Sequence, residues 1–155
     1  VVIIRPPLVY GPGVKANFLS MMRLIDKGIP LPFGAIKNQR SLVYLDNLSN
    51  LILTCCEHPL APGYTFLASD DHDVSTTQLM RTIALSMGKS SRLIPIPMSW
   101  IQAGSSVLKK KHIAQRVCGN LQVDIGLTKE ILGWKPPVSF EQGIKRTVEA
   151  YFKSH

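Results

Sequence analysis

Apolar positions along the chain recur in two rhythms, unbroken β-branched runs and three-to-four-residue spacings, and these divide it into short strands and amphipathic helices. Val1-Val2-Ile3-Ile4-Arg5 is a continuous apolar run, the pattern of a strand covered on both faces. Such a strand needs neighbours on both sides, so the chain reads as part of something longer. Pro6 and Pro7 end the ladder because neither donates a backbone N–H. Gly11-Pro12-Gly13 then reads as a turn. Asn17 is placed to cap a helix with Phe18, Met21, Met22 and Ile25 on one face, ending at Gly28. Pro30 to Gly34 is a loop with a short extended piece, and Ser41 to Leu45 reads as a strand. Asp46 or Asn47 is expected to cap the next helix, which carries Leu48, Leu51, Ile52 and Cys55 and stops before Pro59. Tyr64 to Ala68 is a further short strand.

The second half is more helical. Ser75-Thr76-Thr77-Gln78 has capping-box spacing, with Leu79, Ile83 and Met87 following at helical intervals. Leu93-Ile94-Pro95-Ile96-Pro97 is extended and proline-bounded, an edge strand at most. Met98 to about Leu108 and His112 to about Cys118 read as helices joined by Lys109-Lys110-Lys111. Asp124 opens a short helix that stops at Gly133, and Ser139-Phe140-Glu141-Gln142 is a second capping box before a last helix to about Phe152. With no repeats or low-complexity linkers, residues 1–155 form a single portion, a helix-rich α/β chain with few strands.

Composition narrows the class. At 155 residues, 45% hydrophobic and 18% charged, with mean hydropathy +0.12, the chain holds enough apolar material for an ordinary core and is not a disordered tail. It contains no uncharged apolar run of about 18 residues, so nothing in it spans a membrane as a helix. Cys55, Cys56 and Cys118 form no CxxC and no even framework, which suits a reducing compartment, and a cytoplasmic location is expected. Eighteen Lys and Arg against ten Asp and Glu leave a net charge of +8. That points to an anionic partner: a phosphate, a nucleic acid or an acidic surface.

Several motifs invite chemistry that physics weighs against. Gly11-Pro12-Gly13-Val14-Lys15-Ala16 fits G-x-G-x-x-G/A, yet a proline in that turn removes a donor the pyrophosphate needs, and no acid-terminated second strand follows. Asp70-Asp71-His72-Asp73 reads as a solvated loop ahead of the Ser75 cap, and no metal site is expected. Cys55 and Cys56 sit in a helical pattern where thiols fill cores, and His58 does not face Cys56. Lys109-Lys110-Lys111 reads as a solvated linker, with a membrane-surface or RNA contact as the sharper alternative. Arg40 and Arg116 stand out because a guanidinium fork grips phosphate and neither has an obvious acidic neighbour. A surface ion pair is the competing role for each.

The order of motifs carries more than any one of them. Arg5-Pro6-Pro7-Leu8-Val9-Tyr10-Gly11-Pro12-Gly13 resembles the R-P-x-x-V-Y-G-P-G segment of the extended short-chain dehydrogenases, the NAD-dependent nucleotide-sugar epimerases, dehydratases and 4-reductases. Asn17-Phe18, Gly28 to Gly34, Arg40 to Leu48, Leu121 to Asp124 and Leu132 to Pro136 follow in that family's order. The likeness covers nearly the whole chain and is nearest to the bacterial branch handling UDP-linked N-acetylated or deoxygenated hexoses for surface polysaccharide. It implies the C-terminal part of an extended Rossmann-like fold: a helix-rich substrate lobe plus the last sheet strands. By resemblance, Asn17, Phe18, Pro32, Phe33 and Gly34 lie along the nucleotide base and diphosphate of a UDP-sugar. Arg40 pairs with the diphosphate, and Arg116 is a second anionic contact. Pro6, Pro7 and Leu8 pass beside the nicotinamide of NAD or NADP, which is held mainly by an N-terminal half not included here. Leu8 stands where related epimerases often have Asn, which argues against a simple transfer of the galactose-epimerase substrate.

The family's glycine-rich loop, catalytic Ser/Thr and Tyr-x-x-x-Lys all lie upstream of the R-P segment. Tyr10, Tyr44, Tyr64 and Tyr151 are followed four residues on by Val14, Leu48, Ala68 and His155, so no Tyr-x-x-x-Lys is present. Hydride transfer to or from a sugar carbonyl needs that acid/base pair, so this chain alone is expected to be catalytically silent. The expected partner is a UDP-sugar, with no nucleic acid and no membrane, and a homodimer is one arrangement open to the parent enzyme. The alternative is a basic, non-enzymatic module binding nucleic acid or an acidic partner, which predicts clustered Lys and Arg interleaved with aromatics.

Overall fold

The computed structural model describes residues 1–107 and 118–154. Its elements in chain order are β1 (Ile3–Arg5), β2 (Leu8–Tyr10), α1 (Ala16–Asp26), β3 (Leu42–Tyr44), α2 (Leu45–Glu57), β4 (Thr65–Leu67), α3 (Thr76–Ser86), α4 (Met98–Val107), α5 (Gly126–Leu132) and α6 (Phe140–Ser154). They fall into two compact units. The strand unit comprises Val1–Val14, Ser41–Asp73 and Gln122–His155, and the helical unit comprises Lys15–Arg40 and Val74–Leu121. Among the described residues no helix is long and apolar enough to cross a membrane.

In the strand unit, β1 pairs in parallel with β4 (Ile3 opposite Thr65, Arg5 opposite Leu67), and β2 pairs in parallel with β3 (Leu8 opposite Leu42, Tyr10 opposite Tyr44). The expected strand at Val1–Arg5 shrinks to three residues and is not covered on both faces. Val2 and Ile4 pack on the core, whereas Ile3 is 46% exposed. β2 lies where the prolines and the following turn had suggested no strand, because a parallel partner 34 residues away is invisible to local pattern. The core gathers Val43, Leu51, Cys55, Phe66, Ile125, Leu132 and Trp134. Ile52, expected on the buried face of α2, is exposed.

Helix starts follow local chemistry in some places and tertiary demand in others. Ser75 caps α3, its Oγ accepting the Gln78 N–H at 3.0 Å. The Ser139 box forms as read: Ser139 Oγ accepts the Gln142 N–H (3.3 Å), and the Ser139 N–H donates to Gln142 Oε1 (3.4 Å). Asn17, however, is inside α1 and caps nothing. The chain turns into that helix through Ala16, whose φ is +56°, two residues before the start that an Asn17 cap would give. Nor do Asp46 or Asn47 cap α2, which continues directly from β3 with Tyr44 at its N-cap position. Asp124 forms a side-chain turn to the Gly126 N–H (2.7 Å) ahead of α5, and Gly133 ends that helix at φ +60°.

The helical unit packs α1 through Phe18, Met22 and Ile25 and α3 through Leu79, Met80 and Ile83, all buried. The extended 93–97 segment makes a single parallel bridge, Leu93 to Leu31. The expected 112–118 helix lies, apart from Cys118, outside the described residues, as do Lys109 to Lys111 and Arg116.

Candidate functional site

The helical unit contains all the described residues assigned by resemblance to the nucleotide. Asn17 is exposed on the first turn of α1, while the Phe18 ring beside it is buried in the core. Pro32, Phe33 and Gly34 are half-buried in a loop tied down at three points. The Gly34 N–H donates to the Ile94 carbonyl (2.9 Å), Thr77 Oγ1 donates to the Phe33 carbonyl (2.6 Å), and the Ile36 N–H donates to Thr77 Oγ1 (3.0 Å). A Cβ at position 34 would lie 2.8 Å from backbone atoms of Leu93, Ile94 and Pro95, so only glycine lets the two segments come this close.

The loop then runs into Asn38, whose buried amide acts as a clamp. Its Oδ1 accepts the Thr76 N–H (2.8 Å), and its Nδ2 donates to Thr76 Oγ1 and to the Gly119 carbonyl (3.0 Å each). Arg40 follows, its backbone exchanging two hydrogen bonds with Val74 and bridging in parallel to Leu121. Partial burial lowers the pKa of its guanidinium, which remains a cation.

The strand unit holds a different polar assembly that the sequence reading missed. Asp70, expected in a solvated loop, is only 7% exposed. One of its oxygens accepts from the Tyr10 hydroxyl (2.6 Å); the other accepts from the Tyr44 N–H and Asn47 Nδ2 (2.8 Å each). Asn47 also clasps the Val138 backbone, donating to its carbonyl (2.8 Å) and accepting its N–H (2.9 Å). Burial raises the Asp70 pKa, and the three donors pull it back down. Burial, with the adjacent carboxylate, pushes the Tyr10 hydroxyl well above its ordinary value. Asp73 is likewise engaged, accepting from Ser41 Oγ (2.6 Å) and Gln122 Nε2 (2.9 Å). The available signal was Asn47 on the same helical face as Leu51 and Cys55, three residues after Tyr44 at the end of a strand.

Pro6, Pro7 and Leu8 also belong to the strand unit, at the break between β1 and β2, where Leu8 is 38% exposed. Charge divides between the units as well. The helical unit contains twelve of the eighteen Lys and Arg and one of the ten acids, Asp26, which pairs with Lys89; the strand unit has six bases and nine acids. The helical unit is therefore formally +11 and the strand unit −3, so the sequence's excess positive charge comes from the helical unit.

Parallel strand pairs with their helices, and a helical unit threaded between them in sequence, define an α/β fold of the type formed by the C-terminal part of extended Rossmann-like short-chain dehydrogenases. The UDP-glucose 4-epimerase of Thermotoga maritima, solved with UDP-glucose, shares it with a TM-score of 0.70 at 23% identity, over 99% of this chain and 46% of that one. The UDP-glucuronic acid 4-epimerase of Bacillus cereus, solved with NAD, shares it with a TM-score of 0.73 at 18% identity, over 99% and 44%. In sequence, the UDP-glucose 4-epimerase of Vibrio cholerae is 51% identical over 156 residues, 100% of this chain and 48% of the relative. The chain matches the C-terminal half of extended short-chain dehydrogenase/reductase enzymes. It spans about half the length of the curated relatives it matches. No protein-family model matches it.

Proposed function

We propose that the chain is the substrate-binding part of an NAD(P)-dependent nucleotide-sugar epimerase or 4-keto-sugar reductase, acting on a UDP-sugar for surface polysaccharide in the cytoplasm. The observation that carries this reading is the 51% identity to a UDP-glucose 4-epimerase along the full chain. The pinned 32–40 segment gives it a physical basis. Arg40 presents a charged fork to the diphosphate, while Asn17 and the Pro32-Phe33-Gly34 loop lie along the base and the first phosphate. Phe18 acts from the core by holding Asn17 in place. Arg116, outside the described residues, is assigned the second anionic contact.

The break between β1 and β2 fits the nicotinamide end of the cofactor. Pro6 and Pro7 bring no N–H that would be left unpaired beneath a flat ring, and Leu8 offers an exposed apolar side chain. Bound there, the nicotinamide would supply the hydride acceptor and donor for the sugar C4 carbon. This chain's own contribution is binding and orientation, and the acid/base pair belongs to residues outside it.

The test is calorimetric titration of the parent protein with UDP. Saturable binding is expected, weakened about tenfold or more in Arg40→Ala, the loss that fits removal of a charged bidentate contact. Equal affinity in the variant removes Arg40 from the site, and no UDP binding by the parent protein overturns the reading.

A further inference from the structure

We infer that Asn38 is the positioning residue for Arg40, holding the strand that carries the guanidinium, so that its loss weakens ligand binding through Arg40. This deepens the proposed function and rests on its assignment of Arg40 to the diphosphate. Burial alternates along 36–40: Ile36 and Asn38 are buried, Lys37 and Gln39 exposed, and Arg40 half-buried. In an extended segment, side chains two apart share a face. Asn38, 2% exposed, therefore lies on the same face as Arg40, one step deeper.

The hydrogen bonds show why an amide serves at that position. Arg40 and Val74 exchange both backbone bonds of an antiparallel rung (2.9 and 3.0 Å), and the next such rung would join residue 38 to residue 76. Thr76, however, opens α3, and its N–H is one of the donors a helix leaves without an intrahelical partner. Asn38 Oδ1 accepts it in place of a backbone carbonyl (2.8 Å). On the other flank the Leu121 N–H donates to the Gln39 carbonyl (3.0 Å), and Asn38 Nδ2 extends that pairing by donating to the Gly119 carbonyl (3.0 Å). One side chain thus ties the Arg40 strand to both neighbours. A residue lacking either the acceptor or the donor gives up one of them.

The placement singles out Arg40 from the rest of the segment. Phe33 and Ile36 are held by Thr77 Oγ1, one residue further into α3 (2.6 and 3.0 Å), so the 32–36 loop keeps its own ties when Asn38 is replaced. At 2% exposure the Asn38 amide does not meet a ligand itself, and being neutral it adds no field of its own. Its effect on an anion therefore passes through a cation. A bidentate fork depends on direction, so a strand shift of about 1 Å is enough to uncouple it.

UDP binding is measured by calorimetry for the parent protein, Asn38→Ala, Arg40→Ala and the double variant, with folding checked by circular dichroism. Asn38→Ala is expected to weaken binding about fivefold by itself, and less than about twofold in the Arg40→Ala background. The fall of UDP affinity with salt should become shallower in both single variants, which a loss of stability does not produce. Asn47→Ala removes a buried amide of the same kind from the strand unit and is expected to leave UDP affinity at the parent value. Asn38→Ser goes through the same cycle, so the result stands if Asn38→Ala does not fold. Parent-like binding in the Asn38 variants, beside weakening in Arg40→Ala, overturns this inference and leaves the proposed function standing. So does an equal loss from Asn38→Ala with or without Arg40, or an equal loss in Asn47→Ala. Failure of both Asn38 variants to fold assigns the residue to stability alone and also overturns it. Parent-like binding in Arg40→Ala, or no UDP binding by the parent protein, removes the Arg40 assignment and this inference with it.

Discussion

The two units solve one problem, burying polar groups, with opposite chemistry. The strand unit buries a carboxylate, Asp70, and surrounds it with a hydroxyl, a backbone N–H and an amide. Among the described residues, the polar groups the helical unit buries are neutral, the Asn38 amide with the Thr76 and Thr77 hydroxyls, and its Lys and Arg are exposed or half-buried. The difference shows where each unit can take an anion. A unit with its own acids in excess satisfies a buried anion internally, whereas a unit with one acid keeps a positive field for an external one.

The sharpest way to break the comparison is to remove the anion. Asp70→Ala removes the acceptor shared by Tyr10 Oη, the Tyr44 N–H and Asn47 Nδ2, and should cost about 3 kcal/mol in chemical denaturation. The matching change in the helical unit, Gly34→Ala, forces a Cβ to 2.8 Å from three backbone atoms. It is expected to cost about 2 kcal/mol, as overpacking does, and to weaken UDP binding through the displaced Phe33 and Arg40.

Acidity separates the units next. Burial raises the Asp70 pKa above 3.8 in the fold, so proton uptake favours the folded state. The stability linked to it is full below 3.8 and is lost as pH rises through the raised value. Unfolding measured across that window should show this downward slope, and Asp70→Asn should flatten it. A slope unchanged in the variant would mean other groups set it.

The smallest effects compare two caps. Ser75→Ala removes a 3.0 Å cap from α3 and should cost about 1 kcal/mol. Ser139→Ala removes a longer 3.3 Å bond from α6, whose Phe140, Ile144, Val148 and Tyr151 are buried, and should cost a few tenths as much. Equal losses would show that the caps, not the packing, hold both helices.

What was legible in the sequence was local. Helical spacing located α1, α2, α3 and α6 to within a few residues, and the Ser75 cap and the reciprocal Ser139 box form where their spacing placed them, because they depend on residues three or four apart. The ordered blocks from Arg5 to Pro136 carried the likeness to extended short-chain dehydrogenases without any geometry. Position 47 marks where this reach ends. An asparagine at the head of a helix is a cap by propensity, yet here its amide joins Asp70 to Val138, 91 residues further along.

The sequence by itself determined the helices, their starts at Ser75 and Ser139, the family likeness and the total charge. Only the tertiary structure decided that β2 pairs with β3, that Asp70 is buried, and that the excess of positive charge falls to one unit. The reason is common to all three: each depends on segments far apart in the chain meeting in space. A strand of three residues is stable only against its partner, and a carboxylate is buried only where distant donors converge on it. The charge partition arises because the chain leaves and re-enters each unit, gathering Lys15–Arg40 and Val74–Leu121 together.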